Sequence, residues 1–254
     1  MSNSYRVARL VLLRSSLLLC GAVGALWASY ATRSFWLATP VREVSSRIVA
    51  NDRFKPGVLT DVLAHLKGID RPAILQSKFL EAEAIVILRA ADETTQWSRP
   101  EESDRRMENA EDKIRTALRE NPMGSFLWLM LYSVGTARNG LDPKNISYLE
   151  QSYATGPNEG WVALRRNRLA LAVFPVLSTL VQSEVISEFA NTVDSDFIAE
   201  AELTLIGVGW TYKERLLSAL ESVDLASRQA LRKRLSNDGI KVSIPGLQAD
   251  ERPW

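Results

Sequence analysis

The sequence predicts an all-α protein in which one N-terminal transmembrane helix precedes a domain of stacked helical hairpins. The first indication is that residues 15–32 contain no charged side chain. In the chain that follows, apolar residues recur at spacings of three and four, the period of an amphipathic helix. Proline and glycine divide these stretches into helix-sized segments. The one strand candidate, residues 240–244, is too short to found a sheet.

The uncharged run determines the predicted location. As a helix, residues 15–32 would extend about 27 Å, close to the hydrocarbon thickness of a bilayer. Three arginines precede the run, one follows it, and the first acidic residue is Glu43. The positive-inside rule therefore predicts a cytoplasmic N-terminus, a single pass through a bacterial inner membrane and a periplasmic main domain. The flanking arginines are Arg6, Arg9, Arg14 and Arg33.

A cleaved secretory signal is the alternative interpretation of this segment. Small residues at Ser29 and Ala31 suit cleavage, and a secreted binding protein would then begin near Thr32. A retained anchor is favoured by the length of the run and by aromatic residues near its end, which are typical of a membrane interface. These aromatic residues are Trp27, Tyr30, Phe35 and Trp36.

Small residues within the predicted anchor suggest a homodimer contact. Gly21 and Ala25, and likewise Gly24 and Ala28, are four positions apart, so they share a helix face. Such pairs allow two transmembrane helices to approach closely, and a homodimer through the anchor is the corresponding prediction.

Composition excludes several classes of function. Subtracting the four arginines of residues 1–36 from the 31 basic residues leaves 27 against 30 acidic residues, so the remaining chain lacks the excess of positive charge typical of nucleic-acid binding. Cys20 is the only cysteine and His65 the only histidine, which is too few for a nitrogen or sulfur metal site. The glycines at Gly207 and Gly209 lack the third glycine of a dinucleotide fingerprint. We therefore predict no cofactor and no metal.

Local stop and start signals define the predicted elements in order. Residues 1–36 form a cytoplasmic stub and the anchor, residues 37–72 a linker with a short helix, residues 73–236 the helical domain, and residues 237–254 an extended tail. A proline disfavours helical geometry in the residue before it, so Asn121-Pro122 and Phe174-Pro175 end helices, while Asp142-Pro143 begins one. The predicted helices are 58–66, 73–93, 104–120, 123–138, 143–155, 158–174, 176–193, 197–210, 212–222 and 225–235.

A repeat of about 34 residues runs through the middle of the chain. Pro122 and Pro157 are 35 positions apart, and Trp128 and Trp161, which follow them, are 33 apart. With the apolar positions of the preceding helix, this spacing over residues 104–193 resembles divergent tetratricopeptide repeats. Tyr132 departs from the pattern, because the family usually has glycine there. The resemblance implies stacked helical hairpins whose concave face holds a partner segment. The apolar positions of the preceding helix are Ala110, Ile114 and Ala117, and Leu131 follows Trp128 in the next helix.

Residues 156–171 also resemble a segment of small single-span proteobacterial proteins associated with surface-polysaccharide systems. This resemblance contains no catalytic motif. It implies an accessory role in the cell envelope, with other envelope or membrane proteins as partners.

The predicted partner-binding residues are Trp161, Arg165 and Arg168. The arginines are one helical turn apart and suit a carboxylate or phosphate, and Trp161 suits a sugar or an extended peptide. In the alternative interpretation, Trp161 fills the core between repeats and the arginines pair with Glu159 or Glu150.

The sequence therefore favours a non-enzymatic, membrane-anchored scaffold accessory to exopolysaccharide assembly. The alternative function is a periplasmic enzyme that cleaves glycans with paired carboxylates. Its candidate pairs are Glu81 with Glu83, Glu101 with Glu102, Glu184 with Glu188, and Glu200 with Glu202.

Overall fold

The computed structural model describes residues 2–50, 52–55, 57–67, 77–95, 99–157 and 159–247, and within these ranges the regular secondary structure is entirely helical. This confirms the predicted all-α class. The side chains of residues 2–12, 30–31, 33–38, 66–67 and 94–95 lie outside the described set. The α-helices are α1 (Ser2–Val49), α2 (Val58–Lys67), α3 (Ser77–Thr95), α4 (Pro100–Glu120), α5 (Ser125–Asn139), α6 (Pro143–Thr155), α7 (Gly160–Ala172), α8 (Thr179–Asp194), α9 (Ile198–Ile206), α10 (Lys213–Ser218) and α11 (Leu225–Asn237).

The chain folds as two compact units, Met1–Glu120 and Asn121–Trp254. The boundary coincides with the predicted helix stop at Asn121-Pro122 and divides the region 73–236 that the sequence suggests as one domain. The predicted linker 37–72 also differs, because residues 37–49 continue α1 through Pro40.

In the first unit, α3 packs against α1, α2 and α4. The buried side chain of Val41 on α1 meets Leu59 of α2 and Val86 of α3, and Val44 and Ile48 pack against the same cluster. The C-terminal part of α1 is therefore an integral part of this core.

The preceding part of α1 has no packing partner among the described residues. The side chains of residues 13–29 are all exposed, including Leu18 at 75% and Trp27 at 66%. Among the described helices, none has the length and apolar character needed to span a membrane. The predicted anchor, residues 1–36, includes many side chains that lie outside the described set.

The second unit is built from successive helical hairpins. Helices α5 and α6 pack together, as do α7 with α8 and α9 with α11. The first helices of neighbouring hairpins touch along α5, α7 and α9, and the second helices touch along α6, α8 and α11. This stacking is consistent with the predicted helical-repeat arrangement.

Close packing within the first hairpin depends on one glycine. A Cβ atom at Gly135 of α5 would lie 2.4 Å from Oδ1 of Asn145 of α6, so only glycine allows this approach. Asn145 is buried and its Nδ2 donates to the carbonyl of Gly140, whose positive φ of 74° ends α5. Trp128 packs against Tyr148 with 5.9 Å between ring centroids and donates from Nε1 to the Pro122 carbonyl.

Two local features differ from the sequence expectation. Pro175 lies in a short 3₁₀ turn, Phe174–Val176, and α8 begins only at Thr179. The sequence Asp-Ser-Asp at residues 194–196 predicts a capping cluster ahead of the helix that begins at Phe197. In the structure it does not cap α9, whose N-cap is Phe197. The Asp194 carboxylate instead accepts from the backbone N–H of Asp224, 3.0 Å away, so a tertiary contact replaces the local cap.

The beginning of the predicted tail packs on the second unit. Ile244 is buried, and Nη1 of Arg228 on α11 donates to the Pro245 carbonyl at 2.7 Å. Residues 248–254 of the predicted extended tail lie outside the described residues.

Candidate partner-binding surface on helix α7

Helix α7 has two faces of different character. Its buried residues recur at helical spacing and pack inside the second unit, whereas Trp161, Arg165 and Arg168 follow one another by four and three positions on another face. The predicted binding residues therefore share one side of a single helix. The buried set is Val162, Ala163, Arg166, Asn167, Ala170 and Leu171.

Trp161 is the exposed aromatic residue of this surface. Its ring packs at an angle on Phe126 of α5, with centroids 4.6 Å apart, and the residue keeps 42% of its surface exposed. Cζ of Arg165 lies 5.7 Å from the centroid of the same Phe126 ring. Trp161 and Arg165 thus cover a buried phenylalanine together, and Trp161 lies at the edge of the core rather than inside it.

The charged side chains within helix α7 are all arginines. Helix α7 contains no acidic residue, and Arg168 is exposed without a paired carboxylate among the described residues. Of the carboxylates considered as partners for the arginines, Glu150 accepts from the backbone N–H of Ser178 at 2.9 Å, and Glu159, at the N-cap of α7, accepts from the Ser125 hydroxyl. The pairing of Arg165 with either carboxylate stays a prediction.

Arg166, between the half-buried Arg165 and the exposed Arg168, is buried. It has no solvent exposure, and its guanidinium donates to acceptors at the C-terminal end of α6 and on α8. Nη1 donates to the Ser152 carbonyl at 2.6 Å, Nη2 to the Gly156 carbonyl at 3.1 Å, and Nε to Oε1 of Glu188 at 3.1 Å. Nη2 also donates to the Glu188 carboxylate. Each nitrogen of the fork therefore has an acceptor, as a buried cation requires.

Glu188 and Tyr153 complete this buried network. The Tyr153 hydroxyl donates to Oε2 of Glu188 at 2.8 Å, and Asn167 donates to the same oxygen at 3.4 Å. The Arg166 guanidinium lies 4.0 Å from the Tyr153 ring centroid. Burial raises the pKa of Glu188 above its usual value, with Arg166 acting in the opposite direction.

The pKa of Tyr153 is raised well above 10, first by burial and then by the adjacent Glu188 carboxylate. The network is closed to solvent and its donors are satisfied. Its role is accordingly to join α6, α7 and α8, which fixes the position of the exposed face of α7.

The sequence prediction gave Arg166 no role of its own and missed this network. The helical period contains the signal, because Val162, Arg166 and Ala170 are spaced by four and share the buried side. An arginine on an apolar face requires a buried carboxylate partner, and Glu188 provides it.

Five of the eight carboxylates in the alternative enzyme hypothesis participate in ion pairs. Glu188 pairs with Arg166, Glu202 with Arg234 of α11, and Glu83 with Lys113 at 3.3 Å. In the first unit, Glu81 also pairs with Lys78, and Glu102 pairs with Arg106. Ion pairing favours a structural role for these groups.

No group of three residues suited to hold a metal ion occurs in the described part of the chain. His65 on α2 and Cys20 on α1 are both exposed there.

Comparison of the chain with protein-family models, curated proteins and solved structures finds no significant match. The resemblance of residues 104–193 to tetratricopeptide repeats remains a prediction from the sequence. The resemblance of residues 156–171 to envelope proteins is likewise a prediction.

Proposed function

We propose that this protein is a non-enzymatic scaffold that binds other proteins at a bacterial inner membrane. Its first helix is the membrane anchor, its N-terminus is cytoplasmic, and its helical units are periplasmic. The observation that carries the scaffold function is Trp161, a large aromatic residue held on Phe126 and 42% exposed beside two arginines. Tryptophan and arginine are the residues most enriched at the energetic centres of protein interfaces.

The buried network supports this role because it immobilises the helix that presents Trp161. Arg166 connects α7 to the end of α6 through Ser152 and Gly156, and to α8 through Glu188. A surface that is already ordered loses less conformational entropy on binding a partner.

Membrane attachment is supported by the N-terminal part of α1. Residues 13–29 expose their side chains, many of which are large and apolar. Contact between so much apolar surface and water is unfavourable. Arginines near both ends match the expected interface anchors. The accessory role in exopolysaccharide assembly rests on the resemblance of residues 156–171.

The scaffold is tested by crosslinking the tagged full-length protein in its native membrane and identifying what co-purifies. Trp161→Ala is compared with Trp210→Ala, a matched control that is 40% exposed and also lies beside a cation, Lys213. We expect Trp161→Ala alone to abolish a stoichiometric crosslink. Equal recovery of the partner with both variants would contradict the proposed surface.

Membrane attachment has its own test. We expect the full chain to stay in the membrane pellet at alkaline pH and a version lacking residues 1–36 to be released. A C-terminal alkaline phosphatase fusion is expected to be active, because that enzyme requires the periplasm. An intact N-terminus by mass spectrometry supports a retained anchor, whereas a mature chain starting near Thr32 establishes signal cleavage.

A further inference from the structure

We propose that the turn between α9 and α10, residues 207–212, binds anionic phospholipid headgroups at the surface of the membrane. Val208 and Trp210 supply the apolar contacts, and Lys213 at the start of α10 supplies a cation for the lipid phosphates. The proposal rests on the proposed membrane attachment, because an anchored chain has a bilayer surface beside it. It gives the second unit a lipid contact that is separate from α1.

The turn exposes large apolar side chains. Val208 is 37% exposed and Trp210 is 40% exposed, and Leu203 on α9 is 56% exposed. Residues 203–213 contain no acidic residue. Three large apolar side chains within eight residues therefore meet water, with no carboxylate in the same segment. Tryptophan is enriched where the headgroups of a bilayer meet its hydrocarbon, because its ring is apolar and its N–H is polar.

The backbone beneath Trp210 is held by contacts on both sides. Gly209 is buried, and a Cβ atom there would lie 2.9 Å from Cδ1 of Leu216 on α10. On the other side, the Tyr212 ring packs on the buried Phe174, with 4.5 Å between ring centroids. The exposed side chains of the turn are therefore supported by a packed base, and their exposure costs no rearrangement when they meet a bilayer.

Two cations lie at the start of α10. Nζ of the half-buried Lys213 is 4.2 Å from the Trp210 ring centroid, and the exposed Arg215 donates to the neutral amide of Gln182 at 3.4 Å. Within the part of the chain that the structure describes, neither cation forms an ion pair. Glu214 is the only acidic residue of α10, so this helix has a net charge of +1.

An anionic phospholipid surface matches this combination of groups. Lipid phosphates attract lysine and arginine near the bilayer, and the interface accommodates a tryptophan and a valine without a pocket shaped for them. Inorganic phosphate would bind the cations alone and would leave Val208 and Trp210 in water.

The test places the fluorophore NBD on the turn of the full-length protein, reconstituted in vesicles of phosphatidylcholine and phosphatidylglycerol at about 7:3. Thr211→Cys, in a chain with Cys20→Ser, takes the label at an exposed position of the turn, and Ser236→Cys on α11 is the matched control position. We expect a lipid with a spin-labelled headgroup to quench NBD at residue 211 at least about threefold more steeply than at residue 236. Equal quenching at the two positions overturns the proposal.

Variants of the turn separate its apolar contacts from general proximity to the membrane. Trp210→Ala and Val208→Ser leave α1 unchanged, so the protein stays in the vesicles. Each is expected to reduce the quenching at residue 211 to the level of residue 236. Quenching that both variants leave unchanged overturns the proposal. Circular dichroism of each variant confirms that the helical fold is intact.

The charge of the lipid has its own comparison. Lys213→Gln, or vesicles of phosphatidylcholine alone, should reduce the quenching at residue 211 by about twofold or more. Lys233→Gln, at an exposed position of α11, is the matched charge control and should leave it unchanged. Equal quenching in the two kinds of vesicle overturns the requirement for anionic lipid.

Contact between copies of the chain is a different outcome. If NBD emission at residue 211 shifts to shorter wavelength as the protein concentration rises in detergent micelles, the turn binds a second copy and the proposal is overturned.

The anchor and the turn fail in distinguishable ways. A chain that stays in the vesicles at alkaline pH, with equal quenching at the two positions, retains the anchor and rejects the turn. A chain that alkaline pH releases rejects the anchor, and its co-flotation with fresh vesicles then tests the turn alone. Co-flotation that is lost in Trp210→Ala supports the lipid contact, whereas no co-flotation, or equal co-flotation of both chains, overturns it.

Discussion

Arg166 of α7 and Glu188 of α8 form a fully buried ion pair that joins the two helices of one hairpin. Removal of both charged groups from water costs free energy, which their mutual attraction and the surrounding hydrogen bonds offset. The pair is therefore sensitive to loss of either partner alone.

Arg166→Met is expected to lower the free energy of unfolding by about 3–5 kcal/mol, because it leaves the Glu188 carboxylate buried without a cation. Arg168→Met, at an exposed position two residues away, is the matched control and should change it by less than about 0.5 kcal/mol. Urea unfolding of the full chain in detergent, followed by circular dichroism, measures both. Recovery of stability in the double variant Arg166→Met/Glu188→Met would show that the loss came from the orphaned charge.

The buried hydroxyl of Tyr153 should make the free energy of unfolding depend on pH in the alkaline range. Burial raises the pKa of its hydroxyl above 10, so above pH 10 the unfolded chain releases this proton while the folded chain retains it. The folded state then binds more protons, and the free energy of unfolding falls as pH rises.

Tyr153→Phe should be less stable than the parent at pH 7 by about 1.5–3 kcal/mol, because the hydrogen bond to the Glu188 carboxylate is lost. The difference in the free energy of unfolding between the parent and Tyr153→Phe should narrow between about pH 10 and about pH 11. Urea midpoints across this range test it, with Tyr212→Phe as the control on the same unit. Parallel pH profiles for parent and Tyr153→Phe would contradict the prediction.

Gly156 and Gly160 bracket the start of α7 and should respond in opposite ways to alanine. A Cβ at Gly156 would lie 2.5 Å from the Ser125 Cβ and 2.6 Å from its hydroxyl oxygen. Gly156→Ala should therefore destabilise the protein by about 1–3 kcal/mol. No atom lies within 4 Å of a Cβ at Gly160, so Gly160→Ala should stabilise it by up to about 1 kcal/mol. Thermal unfolding of both variants provides the comparison, and a shift of the same sign in both would be evidence against the close approach of Gly156 to Ser125.

Two valines of α1 test where this helix joins the core of the first unit. Val41 is 1% exposed, whereas Val23 is 58% exposed. Val41→Ala should lower the free energy of unfolding by about 2 kcal/mol, through lost apolar burial and the cavity left behind. Val23→Ala should have an effect below about 0.5 kcal/mol. Urea unfolding distinguishes them, and equal effects would place the junction elsewhere along α1.

The sequence is most informative where local chemistry determines a boundary. Asp142-Pro143 and Gly156 delimit α6 as predicted, because a side-chain cap and a C-terminal glycine act within a few residues. The exposed face of α7 also follows from helical spacing. Its partner stays a prediction, because recognition depends on a second molecule whose chemistry this chain does not encode.

Contacts between residues that are distant in the chain account for the places where the structure differs from the sequence prediction. Arg166 becomes a core residue only because Glu188, 22 positions later, meets it across the hairpin. Asp194 binds the backbone of Asp224 rather than capping its own neighbour, and residues 37–49 stay helical because Val41 and Ile48 pack on other helices. Such partners are distant in the chain and leave no signal in a local pattern.

Helix α1 is unbroken from residue 2 to Val49, so the orientation of the first unit about the axis of this helix is fixed relative to the N-terminal part of α1. Each residue of an α-helix turns by about 100°, so one alanine inserted between residues 36 and 41 would swing the face of the first unit by that angle. Four inserted residues would rotate it by only about 40° while raising it by about 6 Å. If the protein keeps its function with four added residues but loses it with one, the rotation of the first unit about the helix axis matters more than its displacement along that axis.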